Sequence, residues 1–425
     1  MGDFTSDDPG FEETPGIFYG TFVAISDADM AGTAYADGKL EPFNGASDEM
    51  TLFRNGRSVA TAAVSNSVVS WPQIAVASPD GRHIYAIETR GSLSKEIEQV
   101  ESAFTAFPSG HIVSAFEVRD QKLIEVSRIE NVGLNPQSID ISSNGRFLAI
   151  SSETANTELT IVPLDEQGLL GEARFISMNP PFQPGDKEKR ARTLHLSPDG
   201  TMIALNVGNV RYQFYSLIFD DSGVPEGVTA IGAPIEFGVR LSIGRWSRDG
   251  RFLIVTDVNA YDSGVRMLFQ RGGQLHVIKA PTAETPAELI DSKRVGRFAE
   301  GLELSDDGSL IASIAMERTY LPELFFLETW PRRRTYLLTL FSFDSENGTL
   351  VERDRIRTAG VLPEDVIFDK QGSNLAVAVF HRRKGLDRKR GFIDFFEISD
   401  DLQLTPQGRT QAVMRGPHDL VRLPD

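Results

Sequence analysis

Short runs rich in branched and aromatic residues recur along the chain, and most come in pairs joined by Ser-x-Asp-Gly or a close variant. The pairs span residues 74–87 around Ser78-Pro79-Asp80-Gly81, 139–150 around Ser142-Ser143-Asn144-Gly145, and 194–205 around Ser197-Pro198-Asp199-Gly200. Three more centre on Ser247-Arg248-Asp249-Gly250, Ser305-Asp306-Asp307-Gly308 and the degenerate Asp369-Lys370-Gln371-Gly372. Asp-Gly and Asn-Gly supply the positive φ of a tight hairpin turn. The flanking runs, such as Arg251-Phe252-Leu253-Ile254-Val255, have the composition of strands. Each hairpin is followed by a second pair of strands, as at 112–118 with 123–129 and 336–343 with 350–356. Four antiparallel strands per unit is the blade of a propeller.

The seventh copy is split. Residues 416–425 match the first strand of a repeat, and residues 16–25 match a second strand. The rest of that blade is expected at 50–53 and 58–64. The pattern therefore predicts an all-β, seven-bladed β-propeller over residues 16–425, with its last blade closed by the N- and C-terminal strands. Such closure removes an open sheet edge. Residues 1–15, with Asp3, Asp7, Asp8, Glu12 and Glu13, read as a disordered acidic tail.

Aligning the copies on the turn residue and stepping back five positions reaches the start of each innermost strand, where it enters the channel. The ring so defined is Gln73, Gln137, Arg192, Ser242, Glu300, Glu364 and His418, preceded by proline at Pro72, Pro136, Pro363 and Pro417. A wet channel alone would account for polar residues here. The alternative is a site. Glu300, Glu364 and His418 come from successive blades and can exchange protons, and Arg192 can hold a carboxylate or an oxyanion. On this reading Glu300, Glu364, His418 and Arg192 are catalytic, and Gln73, Gln137 and Ser242 contact substrate. A divalent metal on Glu300, Glu364 and His418 is a lesser alternative; otherwise no cofactor is expected.

Loops between second and third strands leave from the same end. One, residues 317–335, carries Phe325, Trp330 and Arg333, and another, 381–391, carries Arg382. They are expected to add apolar and cationic contacts to a small anionic or partly apolar substrate. The competing account makes them a solvated surface, a cover for a gap or a contact with a second copy of the chain in a homodimer. Asp257-x-Asn259-x-x-Asp262 has only part of a calcium-loop pattern and reads as a polar loop. His83, His195 and His276 fall within strands and read as structural.

The net charge of -17 argues against general nucleic-acid or anionic-membrane binding. The absence of cysteine removes disulfides, thiolate metal sites and cysteine nucleophiles. Without a basic, apolar leader at its start the chain is expected to be cytoplasmic. No Walker loop, Gly-x-Ser-x-Gly elbow or His-Glu-x-x-His is present.

The turns Ser78-Pro79-Asp80-Gly81-Arg82-His83-Ile84-Tyr85 and Ser197-Pro198-Asp199-Gly200 resemble those of the lactonase family of seven-bladed propellers. That family includes 6-phosphogluconolactonase-like and carboxymuconate-cyclising proteins. The resemblance spans residues 16–425 and implies lactone hydrolysis or intramolecular ring closure by acid–base chemistry on a small organic acid, lactone or natural-product intermediate. Members of that family often place Pro-His steps at strand entries. Here Pro417-His418 keeps the step, whereas Pro136-Gln137 and Pro363-Glu364 depart from it. The rival reading is a non-catalytic propeller that binds a protein or ligand through its basic and aromatic loops.

Overall fold

The structure is a computed structural model that describes residues 18–27, 48–65, 71–91, 107–178, 190–259, 271–319, 334–381 and 390–424. The acidic tail lies outside these residues. Among the described residues every regular element is a strand, and the strands form seven four-stranded antiparallel sheets. From blade 1 to blade 7 the innermost strands are Pro417–Leu423, Ala75–Ala77, Pro136–Ile141, Ala191–Leu196, Leu241–Trp246, Ala299–Leu304 and Val361–Phe368. Each packs beside the next and the last beside the first, so the sheets close into a ring about one axis.

Blade 1 joins the two ends of the chain. Thr21–Ser26 lies between the C-terminal strand Pro417–Leu423 and the strand Glu49–Arg54, with Arg57–Ala63 outermost. Val23 pairs with Val421 on one side and Leu52 on the other. The alternating faces of neighbouring sheets meet between blades. Val23, Ile25, Ile84, Leu148 and Ile150 share one such core, and Ile314, Leu338, Val366 and Val377 share another. Burying a side chain of this size removes it from water at about 1.5–3 kcal/mol.

The turn motif has a specific internal wiring. In blade 2 the Ser78 hydroxyl donates to Asp80 at 2.6 Å and accepts the His83 amide at 2.9 Å, while the Gly81 amide donates to the Ser78 carbonyl at 2.9 Å. Ser197 with Asp199, Ser247 with Asp249 and Ser305 with Asp307 repeat the hydroxyl–carboxylate bond at 2.5, 2.7 and 2.6 Å. Burial opposes ionisation of Asp80, but the Ser78 hydroxyl and the Arg82 amide outweigh it and hold the carboxyl below its ordinary range. The serine is therefore part of the turn, which is why it recurs with Asp-Gly.

Gly81 has φ +68°, and a Cβ there would run into the Pro424 carbonyl of the closing strand. Gly232 has φ +64° with nothing nearby. Gly81→Ala should lower stability by more than the roughly 1–3 kcal/mol of backbone strain alone, and Gly232→Ala by the strain term only. Equal losses in denaturant titrations would show that the Gly81–Pro424 approach does not constrain the closed blade.

Candidate functional site at the loop end of the channel

The end of the channel where the innermost strands enter is called the loop end, and the end carrying the Ser-x-Asp-Gly turns the hairpin end. Six of the seven ring positions coincide with irregularities in the ladder. Pairing of innermost and second strands skips from Pro136 to Ser138, Ala191 to Leu194, Leu241 to Gly244, Ala299 to Leu302 and Pro363 to Val366. In blade 1 the skip passes over His418, from Asp419 to Pro417. Gln137, Arg192, Ser242, Glu300, Glu364 and His418 therefore sit on bulges, which lift a residue out of the ladder and re-aim its side chain. Gln73 lies just ahead of its strand.

The structure brings the acidic part of the ring together. His418 Nδ1 stands 3.7 Å from Glu364 Oε2, and both side chains are buried. Burial pushes the Glu364 carboxyl well above its ordinary range, and the neighbouring Glu300, Asp365 and Asp27 add to the shift. Burial also raises Glu300, to about 8, against the pull of the Arg240 guanidinium. Both carboxyls are thus pushed toward their protonated forms.

Arg192 and Arg240 both stand over the Trp71 ring, at 5.8 and 5.4 Å from its centre. Such contacts attract a cation to the π face and hold its plane. Gln73 donates to the Leu194 carbonyl at 2.8 Å, reaching a strand two blades away, and Gln137 donates to the Asn135 carbonyl at 3.0 Å. Ser242 is fully buried, and its carbonyl accepts from Thr193 at 2.6 Å and from Tyr212 at 3.1 Å. Among the described residues no three Asp, Glu or His side chains stand close enough together to hold a metal ion. Phe325, Trp330, Arg333 and Arg382 lie outside the described residues.

Trp71 and Arg240 lie outside the ring positions read from the repeat. Each stands two residues ahead of its ring position, so the same alignment carried two steps further reaches both. The equivalent positions Asn135, Phe298, Leu362 and Gly416 all have positive φ, at 50°, 56°, 49° and 77°. The chain therefore enters several innermost strands through a left-handed kink. Phe298 and Leu362 adopt it against their steric preference.

A cavity of about 350 Å³ occupies the hairpin end of the axis. Val76, Asp140, His195, Arg245, Glu303, Ile367 and Val421, one from each innermost strand, line it. Arg245 Nε donates to Glu303 at 2.9 Å. Burial works against the Arg245 charge, but Glu303, Asp365 and Asp419 hold it firmly protonated. His195 lies 3.3 Å from the Tyr212 hydroxyl, and burial pushes its imidazole well below the ordinary range. Sequence reading assigned His195 a structural place. Its ring is buried within the sheet, although its residue also borders this cavity.

No protein-family model matches the chain, and no curated protein matches it in sequence. Its fold is similar to that of a candidate 6-phosphogluconolactonase from Bacteroides fragilis, at 17% identity over 95% of this chain and 98% of that one, with a TM-score of 0.64. It is likewise similar to PpgL, the periplasmic gluconolactonase of Pseudomonas aeruginosa, at 16% identity over 95% and 99%, with a TM-score of 0.61. A functionally unknown protein from Desulfotomaculum acetoxidans shares it too, at 11% identity over 94% and 99%, with a TM-score of 0.57. The likeness is one of fold: the chain has the seven-bladed architecture of the lactonase-like propellers.

The raised carboxyls fix the sign of a pH effect. Glu300 binds its proton more tightly folded, about 8, than unfolded, 4.5, so its contribution is full below 4.5 and is lost as pH rises to about 8. Burial likewise raises Asp140 and Asp419 to about 6 from 3.8, so their contributions are lost earlier, as pH rises to about 6. Thermal melts should show stability falling across this span. Glu300→Gln should flatten the part of the curve between 6 and 8, and an unchanged slope there would refute the assignment.

Proposed function

We propose that the protein hydrolyses a small anionic lactone at the loop end of its channel. The observation that carries this reading is the meeting of two buried glutamates in different surroundings, one beside Arg240 and the other beside His418. Pairs of acids whose surroundings push their proton affinities apart divide naturally into a base and an acid. The lactonase names carried by structural neighbours agree with it at the level of the fold.

In the proposed reaction Glu300, in its ionised form, takes a proton from water as the water oxygen bonds to the lactone carbonyl carbon. Arg192 and Arg240, steadied on Trp71, hold the substrate anion and the charge that develops on the carbonyl oxygen. The ring C–O bond then breaks, and Glu364 gives its proton to the departing alkoxide. The product is a hydroxy acid, which ionises. The proton gained by Glu300 leaves to solvent, and His418, beside Glu364, returns one to that carboxyl. Run in reverse, the same groups close a ring, so a cyclase acting on a hydroxy acid would use the same arrangement.

Glu364→Gln removes the acid and should lower kcat on an anionic lactone by about 10²–10⁴-fold without shifting the melting temperature by more than a few degrees. The wild-type rate should rise with pH as Glu300 loses its proton around 8. Unchanged turnover in the glutamine variant would remove Glu364 from the chemistry. Stabilisation of the protein by lactones or organic acids without turnover would instead favour a binding propeller.

A further inference from the structure

The proposed site leaves one chemically suggestive constellation unused, on the outer half of blade 5. Asp257 ends the second strand, Phe252–Asp257. His276 lies in the third, Gly273–Lys279, and Ser292 in the outermost, Glu288–Gly296. The registers set His276 directly opposite Ser292 and place Asp257 opposite Gln274, two residues along the strand from His276. Cross-strand neighbours at this spacing share one face of a sheet. His276 Nδ1 lies 2.8 Å from Ser292 Oγ, and Nε2 on the far side of the ring lies 3.6 Å from Asp257 Oδ2.

We infer that Ser292, His276 and Asp257 form a second reactive site in which Ser292 acts as a nucleophile toward activated acyl or phosphoryl esters. The burial pattern is the one such a relay needs. Ser292 is on an exposed position, whereas His276 is 4% exposed and Asp257 1%. The base is therefore shielded and the nucleophile reachable. Asp257 is fixed before any reaction. Its Oδ1 accepts the amides of Arg240 at 2.8 Å and Asn259 at 2.9 Å, and its Oδ2 accepts that of Val239 at 3.0 Å. Burial opposes ionisation of Asp257, but His276 and the Arg240 and Asn259 amides outweigh it and keep the carboxyl below its ordinary range. The Phe237 ring meets the imidazole edge-on at 5.1 Å and limits its rotation.

With Nδ1 accepting from Ser292, the ring proton sits on Nε2 and faces Asp257, which is the orientation that lets an imidazole take a hydroxyl proton. Asp257 is then a positioning residue. In the reaction, Ser292 Oγ bonds to the carbonyl carbon or phosphorus of the ester while its proton passes to His276. The leaving group departs with the bonding pair, and His276 returns the proton to it or to solvent. Water releases the acyl group by the same route.

The test uses the full-length protein and a fluorophosphonate probe, with fluoride as the leaving group. Intact mass should show one phosphonyl adduct, mapped to Ser292 by peptide sequencing. Ser292→Ala should abolish it, and His276→Gln should slow it by about tenfold or more with little change in the melting temperature. Asp257→Asn should slow it and also shift the ¹⁵N signals of the His276 ring as the tautomer preference weakens. Turnover of lactone in Ser292→Ala should equal that of wild type, so failure here and failure of the channel site are separately visible. No adduct on Ser292, or an equal rate in His276→Gln, would overturn the inference.

Discussion

The innermost strand of a propeller blade has one edge with no strand to pair with, and seven such edges face the same axis. Unpaired amides there would cost about 1–3 kcal/mol each if buried without a partner. The structure solves this with side chains that cross from one blade to the next. Asp419 of blade 1 accepts the amides of Ile74 and Ala75 in blade 2 at 2.7 and 2.9 Å. Ser138 of blade 3 accepts that of Leu194 in blade 4 at 2.8 Å, and Asp365 of blade 7 that of Leu420 in blade 1 at 2.9 Å. In the turn alignment the three accepting side chains, Asp419, Ser138 and Asp365, occupy the same position, one residue beyond the candidate site ring. Asp140, two residues further in, does the same for Leu196 at 2.8 Å.

This constraint accounts for the channel carboxyls of Asp140, Asp365 and Asp419 without appeal to catalysis. Asp140 and Asp419 have their charge spread over backbone amides, and those bonds limit the rise that burial causes to about 6. Glu300 and Glu364 differ. Burial dominates both, Glu300 is countered by a guanidinium, and Glu364 is raised further by its acidic neighbours. Carboxyls that staple strands are committed to the fold. Carboxyls pushed toward their protonated forms beside an arginine and a histidine carry no such commitment, which is what the proposed proton transfer draws on.

The fold was legible because its turn chemistry repeats. Ser-x-Asp-Gly specifies its own hydrogen bonds, as Ser78, Ser197, Ser247 and Ser305 show, and a local motif can be read from a local stretch of sequence. The split blade was legible for the same reason: residues 417–423 and 21–26 each resemble half of a hairpin. The ring positions were legible as register, but the bulges that re-aim them depend on how innermost and second strands slip past each other, which no single strand encodes. Trp71 and Arg240 were missed because they precede the strands they serve. The relay on blade 5 was missed more completely. His276 looked like any strand histidine, since its partners Asp257 and Ser292 stand 19 residues before it and 16 after it, and only the three-stranded register aligns them.

The two ends of the axis hold similar residue types in different chemical states, and this difference, more than cavity size, is why the proposed site is placed at the loop end. At the hairpin end Arg245 is locked to Glu303, and the His195 imidazole is driven by burial toward its neutral form. A cation held permanently protonated and an imidazole held neutral cannot exchange protons near neutral pH. The layer of interblade staples formed by Ser138, Thr193, Asp365 and Asp419 lies between the two rings in sequence register and ties neighbouring innermost strands together. Beyond it, at the loop end, Glu300 is raised to about 8 and Glu364 above its ordinary range, so changes in charge nearby, including the arrival of an anion on Arg192 and Arg240, shift the proton equilibria of both. The proposed site, responding to its ligand in this way, can couple binding to proton transfer, whereas the Arg245–Glu303 pair at the other end ties one blade to the next.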